Sequence, residues 1–347
     1  MSELTCEIVE IKELLPHNNA DSLSIVKIYD YPVIVRTEEW KAGDRGVYFP
    51  VDAMLPVYPL FSFLWQDREE PTDRQRTVRA IRLRGTFSMG LLIPLRKLQE
   101  YCLQVLLEYL EIGTNVAELF GVKKYDPPLP VSMGGECEAQ PSWFRSYTDI
   151  ENVRKYSDSL TIDEEVVITE KIHGTNSRFA YKEGRLWVGS HNLTKKLGGK
   201  DVWNVIARDL DLENKLQEFE GFAFCGEIYG GSVQKGFNYG LKAPRFVLFD
   251  IIDLSTNKYL DHDEMVVMAV KAGFNIVPLL YRGAWKGLSE VEKLADGSTL
   301  TEGEHTREGF VVKPIRERWN DNLGRVIIKL HGQDFLTGRI KKKKEKR

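Results

Sequence analysis

The sequence predicts an α+β chain in two parts: a small amino-terminal β-barrel, then a larger domain that mixes strands with helices. Three observations predict it. Over roughly the first 120 residues, short β-rich runs alternate with turn clusters at close spacing. Between about Lys123 and Pro141, four prolines and the Gly134-Gly135 pair can sustain neither a helix nor a central strand. Beyond them, β-branched strands and stretches of helical periodicity recur. The expected organisation is therefore a barrel over residues 1–125, a linker over 126–141 and a second domain over 142–347. At 347 residues, 42% hydrophobic and 29% charged, the chain can bury a real core in each part.

The barrel strands are expected at Cys6 to Ile11, Leu23 to Ile28, Pro32 to Arg36, Gly46 to Pro50, Ala80 to Leu83 and Gly90 to Pro94. Turn clusters such as His17-Asn-Asn-Ala-Asp21 and Lys41-Ala-Gly-Asp-Arg-Gly46 separate them. That spacing suits the five-stranded OB fold, a common nucleic-acid-binding barrel. The run Leu15-Pro-His-Asn-Asn-Ala-Asp-Ser-Leu-Ser-Ile-Val-Lys-Ile28 resembles the opening strands of tRNA-binding OB modules appended to some aminoacyl-tRNA synthetases. Arginines recur at 74, 76, 79, 82 and 84. Arg82 and Arg84, either side of Leu83, are read as one strand face that tracks a phosphate backbone, or as an edge strand kept charged against aggregation.

In the second domain, Val202 to Glu220 has helical spacing. Asp261-His-Asp-Glu264 and Ser289-Glu-Val-Glu292 read as capping boxes of short helices, and Gly273 as the stop of the first. Strands are expected at Gly221 to Ile228, Arg245 to Ile252, Glu308 to Pro314 and Gly324 to Leu330. The end, from Arg339 to Arg347, is a basic tail that would add affinity for polyanions.

Bulk properties narrow the function. A net charge of -3 argues against a protein that merely coats nucleic acid, so any such contact must come from local patches. The four cysteines, Cys6, Cys102, Cys137 and Cys225, are scattered and form no zinc-type spacing, as expected for reduced thiols in a cytoplasmic or nuclear setting. No apolar run reaches the ~18 residues of a membrane span, and the start lacks the pattern of a secretory signal.

The stretch that carries chemistry is Glu165-Val-Val-Ile-Thr-Glu-Lys-Ile-His-Gly-Thr-Asn176. Its β-branched run reads as a strand buried on both faces, which delivers Lys171 into a polar turn. A lysine at the mouth of a strand becomes a nucleophile when burial or neighbouring cations depress its pKa. Gly174 lets a ligand approach the backbone, and Thr175 and Asn176 offer donors and acceptors. Five further charged strand segments follow. Gly184 to Asn192 ends in a polar turn, Phe222 to Gly230 carries Glu227, and Arg245 to Ile252 carries Phe249 and Asp250. Glu308-Gly-Phe-Val-Val-Lys313 and Arg325-Val-Ile-Ile-Lys-Leu330 complete the series. Charges in such strands are too costly to bury unpaired, so Glu227, Glu308, Lys313 and Lys329 are expected to face a shared polar cavity.

In this order the segments resemble the motifs of the covalent nucleotidyltransferases, the superfamily of polynucleotide ligases and mRNA capping enzymes. Lys-Ile-His-Gly-Thr-Asn, with an amino-terminal OB domain and 18 residues after Lys329, looks like the fifth family of ATP-dependent RNA ligases. The resemblance implies a nucleotidyltransferase domain of antiparallel sheets with flanking helices. It also implies ATP and Mg²⁺ or Mn²⁺ as cofactors. Lys171 would carry AMP, the backbone at Glu170 would read the adenine, and Phe249 would stack on the base, with Phe246 as the fallback. Ile172, Gly174 and Asn176 would line the ATP site; Glu227 would contact ribose or metal water, Glu308 would hold metal, and Lys313 and Lys329 would meet phosphate. Lys313 is alternatively a surface lysine on the opposite strand face.

Three departures mark the chain. His173 stands where relatives carry Asp, the second motif offers Asn192, Lys195 or Lys196 in place of an arginine, and Ile327 precedes Lys329 where a second lysine is common. Arg145 and Arg154 are candidates for gripping pyrophosphate or a 5′-phosphate. The implied reaction joins a 3′-OH to a 5′-phosphate through lysyl-AMP and an AMP-capped 5′ end. Its implied partner is a nicked duplex with an RNA 3′-OH strand, and its implied state a monomer with no membrane partner. The alternatives are a DNA ligase, a capping guanylyltransferase, or a non-catalytic RNA-binding scaffold that keeps the barrel and a relic transferase domain.

Overall fold

The computed structural model describes residues 4–66, 68–102, 106–126 and 134–338; the basic tail and residues 127–133 of the expected linker lie outside them. The chain divides into two units, 1–127 and 128–347. Among the described residues no helix is long and apolar enough to cross a membrane.

The amino-terminal unit is all short strands and single helical turns. β1 (Glu7–Glu10), β4 (Arg45–Phe49) and β7 (Leu91–Pro94) form one antiparallel sheet. β2 (Leu23–Ile28) and β3 (Tyr31–Arg36) pair in a second, joined by Leu15–Pro16. β5 (Ile81–Leu83) and β6 (Thr86–Ser88) make a hairpin. Alternation along the strands fills two cores at once: Ile8, Val47 and Phe49 enter one, Val9 and Tyr48 the other. The hairpin corrects one expectation. Arg84 is not on the strand face with Arg82; it sits in the turn at φ 45°, bringing the chain from Leu83 back to Thr86.

The second unit stacks two sheets. The five-stranded one runs Glu151–Asn152, β15 (Ile328–His331), β14 (Gly309–Pro314), β8 (Glu165–Lys171) and β13 (Leu279–Ala284), and only its Glu151–Asn152 pairing is parallel. The seven-stranded one is antiparallel throughout. It runs Cys137–Glu138, Thr194–Lys195, β10 (Arg185–Gly189), β9 (Thr175–Lys182), β11 (Phe222–Tyr229), β12 (Arg245–Asp253) and Lys258–Tyr259. Val166, Val167 and Ile168 of β8 are all buried, as a strand covered on both faces requires.

Helices cover the seven-stranded sheet. Trp203, Ile206, Leu212, Leu216 and Met265 pack on Phe179, Phe224 and Phe246. The single helix expected over Val202 to Glu220 is two, α1 (Val202–Asp209) and α2 (Leu212–Gln217), because Asp211 turns left-handed at φ 49°. Asp tolerates that conformation, and its carboxylate accepts from the Asn214 amide. The capping box of α3 (His262–Lys271) forms as expected on Asp261 and Glu264, with Gly273 beyond its end at φ +66°. That at Ser289 does not: α4 (Leu288–Val291) starts after Gly287 and contains Ser289. The strand expected over Gly324 to Leu330 is interrupted at Val326 and Ile327.

Candidate active site

The two sheets of the second unit enclose a cavity of about 260 Å³. β8 brings Thr169, Glu170 and Lys171 to it, β9 Asn176, β11 Glu227, β12 Phe249 and Asp250, β14 Val311 and Lys313, and the last strand Lys329. Residues more than 150 positions apart thus meet because β8 is an interior strand of one sheet and β9, one turn later, is the middle strand of the other.

Lys171 Nζ lies 2.9 Å from Glu308 Oε2. Burial pushes the ammonium toward losing its proton, but Glu308 and Glu227 outweigh burial and hold its pKa above the usual value. The depressed lysine pKa expected from the sequence is therefore not found in this state, because two carboxylates face the amine. Burial would push Glu308 up; Lys171, His173 and His331 hold it well below the ordinary carboxylate range. Glu227 goes the other way. Burial raises its pKa to about 8, Lys171 only partly offsets this, Glu308 adds to it, and the Gly174 N–H donates to it.

Phe249 owes its place to a β-bulge. Cys225 pairs with Asp250 and Gly226 with Leu248, so Phe249 is the extra residue, and it and its neighbour Asp250 both line the cavity. Phe246 points away, into the core beside Phe179 and Phe274. Glu170 presents its backbone: its carboxylate accepts from Thr299 Oγ1 at 2.5 Å and Leu300 N at 2.7 Å. Ile172 is buried against Tyr229 and Val277 and lines the cavity. A Cβ at Gly174 would lie 2.1 Å from the Ile228 carbonyl oxygen, so the packing of β11 by itself requires a glycine there.

Lys313 is not a surface lysine. Its Nζ is 2.5 Å from Asp250 and 2.9 Å from Glu317, and Arg325 Nη1 is 2.8 Å from the other Asp250 oxygen. Tyr147 O–H donates to Asp250 as well. Lys313 and Arg325 hold Asp250 well below its ordinary range against the opposing effect of burial. The sequence reading missed this network and Tyr147, which shares the cavity wall with His191 of the polar turn. An aspartate inside an apolar strand, Asp250, was the available signal.

Other candidates fall elsewhere. Asn192 is exposed, bonded to His191 Nδ1 at 2.6 Å, and Lys195 stacks on Trp203. Arg145 is exposed and Arg154 is buried in an ion pair with Glu292; neither lines the cavity. Arg82, with its guanidinium 5.7 Å from the Phe87 ring, and Arg84 belong to the other unit. A buried arginine, Arg178, went unnoticed. It donates to the carbonyls of Ser190 at 2.7 Å and Phe144 at 2.8 Å, tying the His191 turn to the segment that carries Tyr147.

The donor set fits a hard divalent cation. Glu227 and Glu308 flank Lys171, and Asn176 Oδ1 is buried without a hydrogen-bond partner. Magnesium-type ions bind through one or two carboxylates with water and phosphate oxygens completing the shell. Among the described residues no group of three or more His, Cys, Asp or Glu could hold a metal unaided.

An RNA ligase family matches residues 164–331, the strands that form this cavity, and an OB-fold domain family matches residues 5–95. The RNA ligase match thus spans β8 to β15 of the second unit, a little under half of the chain. The fold of the chain is that of Naegleria gruberi RNA ligase, over 96% of this chain and 98% of that one. A variant of that ligase with ATP and Mn superposes with a TM-score of 0.80 at 24% identity, and a second with ATP and Mn gives 0.79 at 25%. A third, with AMP and Mn, gives 0.77 at 25%. No curated protein matches this chain by sequence. The α+β architecture expected, an OB barrel followed by antiparallel sheets with flanking helices, is thus found.

Proposed function

We propose that this protein is an ATP-dependent RNA ligase that joins a 3′-OH to a 5′-phosphate through a lysyl-AMP on Lys171. The observation that carries the reading is the placement of Lys171 Nζ, 2.9 Å from Glu308, at a nucleotide-sized cavity that Glu227, Phe249 and Lys329 share. Phe249 stacks on the adenine and the Glu170 backbone reads its edge, with Ile172 beneath. Lys329 neutralises the α-phosphate, and Asn176 and Glu227 meet the ribose or metal water.

Lys171 must reach the α-phosphorus as a free amine. While Glu308 is paired with it, the ammonium is favoured; once the Glu308 charge is engaged elsewhere, burial favours the amine. Glu227 and Glu308 would hold a divalent cation, which when bound would neutralise the phosphate oxygens. The Lys171 nitrogen then forms the P–N bond as the bond to pyrophosphate breaks. The 5′-phosphate of the broken strand takes AMP from Lys171, and the 3′-OH displaces AMP from that end. Each transfer is in-line, so the residues act by orientation and charge.

Lys313 supports the site through Asp250 rather than by touching phosphate. The proposed substrate is a nicked duplex with RNA on the 3′-OH side, the proposed state a monomer, and the setting cytoplasmic or nuclear. The test is transfer from α-phosphate-labelled ATP, with Mg²⁺ or Mn²⁺, to the protein as an acid-stable, hydroxylamine-sensitive adduct that Lys171→Ala abolishes. Label from GTP points to capping, and no label under any metal points to a scaffold. Sealing assays with RNA or DNA on each side of a nick then define the substrate.

A further inference from the structure

Glu308 stands just before β14, and the register of the five-stranded sheet sets what faces it. Gly309, the next residue, pairs with Lys171 of β8 on one side and with His331, the last residue of β15, on the other. A Cβ at Gly309 would lie 1.9 Å from the Leu330 carbonyl oxygen, so only glycine lets the strands close up there. The buried Glu308 carboxylate is thereby caught among three side chains that divide its two oxygens. Oε2 faces Lys171 Nζ at 2.9 Å. Oε1 faces His173 Nδ1 at 3.5 Å and His331 Nε2 at 3.6 Å. Among the described residues neither imidazole has another hydrogen-bond or ion-pair partner. Phe335 packs on both, edge to face with His173 at 5.2 Å and parallel to His331 at 6.2 Å.

The division matters when Lys171 leaves. On the ligase reading, on which this inference rests, the amine turns from Glu308 to the α-phosphorus. A buried carboxylate that loses its ion partner is costly, and it is free to rotate after the departing amine. Donors anchored on Oε1 oppose both. They keep the carboxylate partnered and leave Oε2 aimed at the space the ammonium vacates, where a cation or its water is received. Groups bonded to the far side of a metal-binding carboxylate set its orientation in this way. We propose that His331, with His173 beside it, is a positioning residue that holds Glu308 ready for the divalent cation. The imidazoles touch neither nucleotide nor metal in this role; their effect passes through Glu308.

Manganese titration calorimetry on the full chain, free of nucleotide, tests this. His331→Ala is expected to weaken manganese binding about tenfold, and His331→Gln, which keeps a side-chain N–H at similar reach, to recover most of the loss. His173→Ala is expected to act in the same direction from the β8 side, and it keeps the test readable if His331→Ala does not fold. Melting temperatures near wild type confirm folding. In lysyl-AMP formation, His331→Ala should raise the manganese concentration for half-maximal adduct about tenfold and leave that for ATP unchanged. Unchanged manganese affinity in both alanine variants overturns the proposal. So does an equal loss of response to ATP and to manganese, a His331→Gln variant as weak as His331→Ala, or a wild type that binds no manganese. The calorimetry needs no chemistry. The ligase reading therefore fails on a wild type that forms no adduct, the positioning role on a missing manganese effect, and the two failures are distinguishable.

Discussion

Asp250→Asn should destabilise the second unit far more than its position on a cavity wall suggests. Asp250 accepts from Lys313 at 2.5 Å, from Arg325 at 2.8 Å and from the Tyr147 hydroxyl, and all four side chains are buried. Removing its charge leaves two buried cations with Glu317 as their remaining carboxylate, 2.9 Å from Lys313 and 2.5 Å from Arg325. Breaking a buried ion pair costs about 3–5 kcal/mol, and because Glu317 stays, about 3 kcal/mol is expected. For a unit of this size that is a drop of roughly 6–12 °C in melting temperature.

Neutralising one of the two cations as well, in Asp250→Asn with Lys313→Met, should recover at least half of the loss. The pH dependence follows from the sign of the shift. A carboxylate held below its ordinary 3.8 contributes stability that is fully present above that value and is lost as pH falls toward its folded pKa. The gap between wild type and Asp250→Asn should therefore be constant from pH 8 to 5 and close only below about pH 4. Circular dichroism melts measure both. A single variant melting within about 2 °C of wild type at pH 7, or a double variant less stable than the single, would refute the account of a charge-balanced network.

Other outcomes follow from the same geometry. Gly174→Ala should abolish soluble expression or lower the melting temperature sharply, since its Cβ would meet the Ile228 carbonyl at 2.1 Å and backbone on both sides must move. Phe249→Ala should raise the KM for ATP about tenfold while leaving the fold intact, whereas Phe246→Ala should cost about 3–5 kcal/mol of stability and change KM little; the opposite pattern would show that the bulge register is wrong. Glu227 has a raised pKa of about 8, so the native state loses stability as pH rises between its ordinary 4.5 and 8. Glu227→Gln should accordingly raise the melting temperature of metal-free protein more at pH 8 than at pH 5. Manganese affinity of the wild type, by titration calorimetry, should climb over the same window as the competing proton leaves.

Much of the fold was legible because its cause is local. β-branched runs such as Val166–Ile168 announced buried strands, and Asp261 with Glu264 announced a helix start. Legibility failed where one residue's backbone conformation, or a contact across the sequence, decides. Asp211 splits a helix whose apolar spacing continues straight through it. Ser289 has the letters of a cap, yet the turn begins two residues earlier at Gly287. Arg154 has the charge to grip a phosphate, but Glu292, 138 positions away, takes it.

From the sequence alone came the order of charged strands and the lysine on which they converge, because side-chain type and strand spacing are properties of short segments. Tertiary structure alone decided which charges face one another: that Glu308 and Glu227 keep Lys171 protonated, that Lys313 belongs to Asp250, and that a one-residue bulge turns Phe249 rather than Phe246 to the cavity. Electrostatic energy depends on distances through space between residues remote in the chain, and a sheet register fixes those distances only once all its strands are in place.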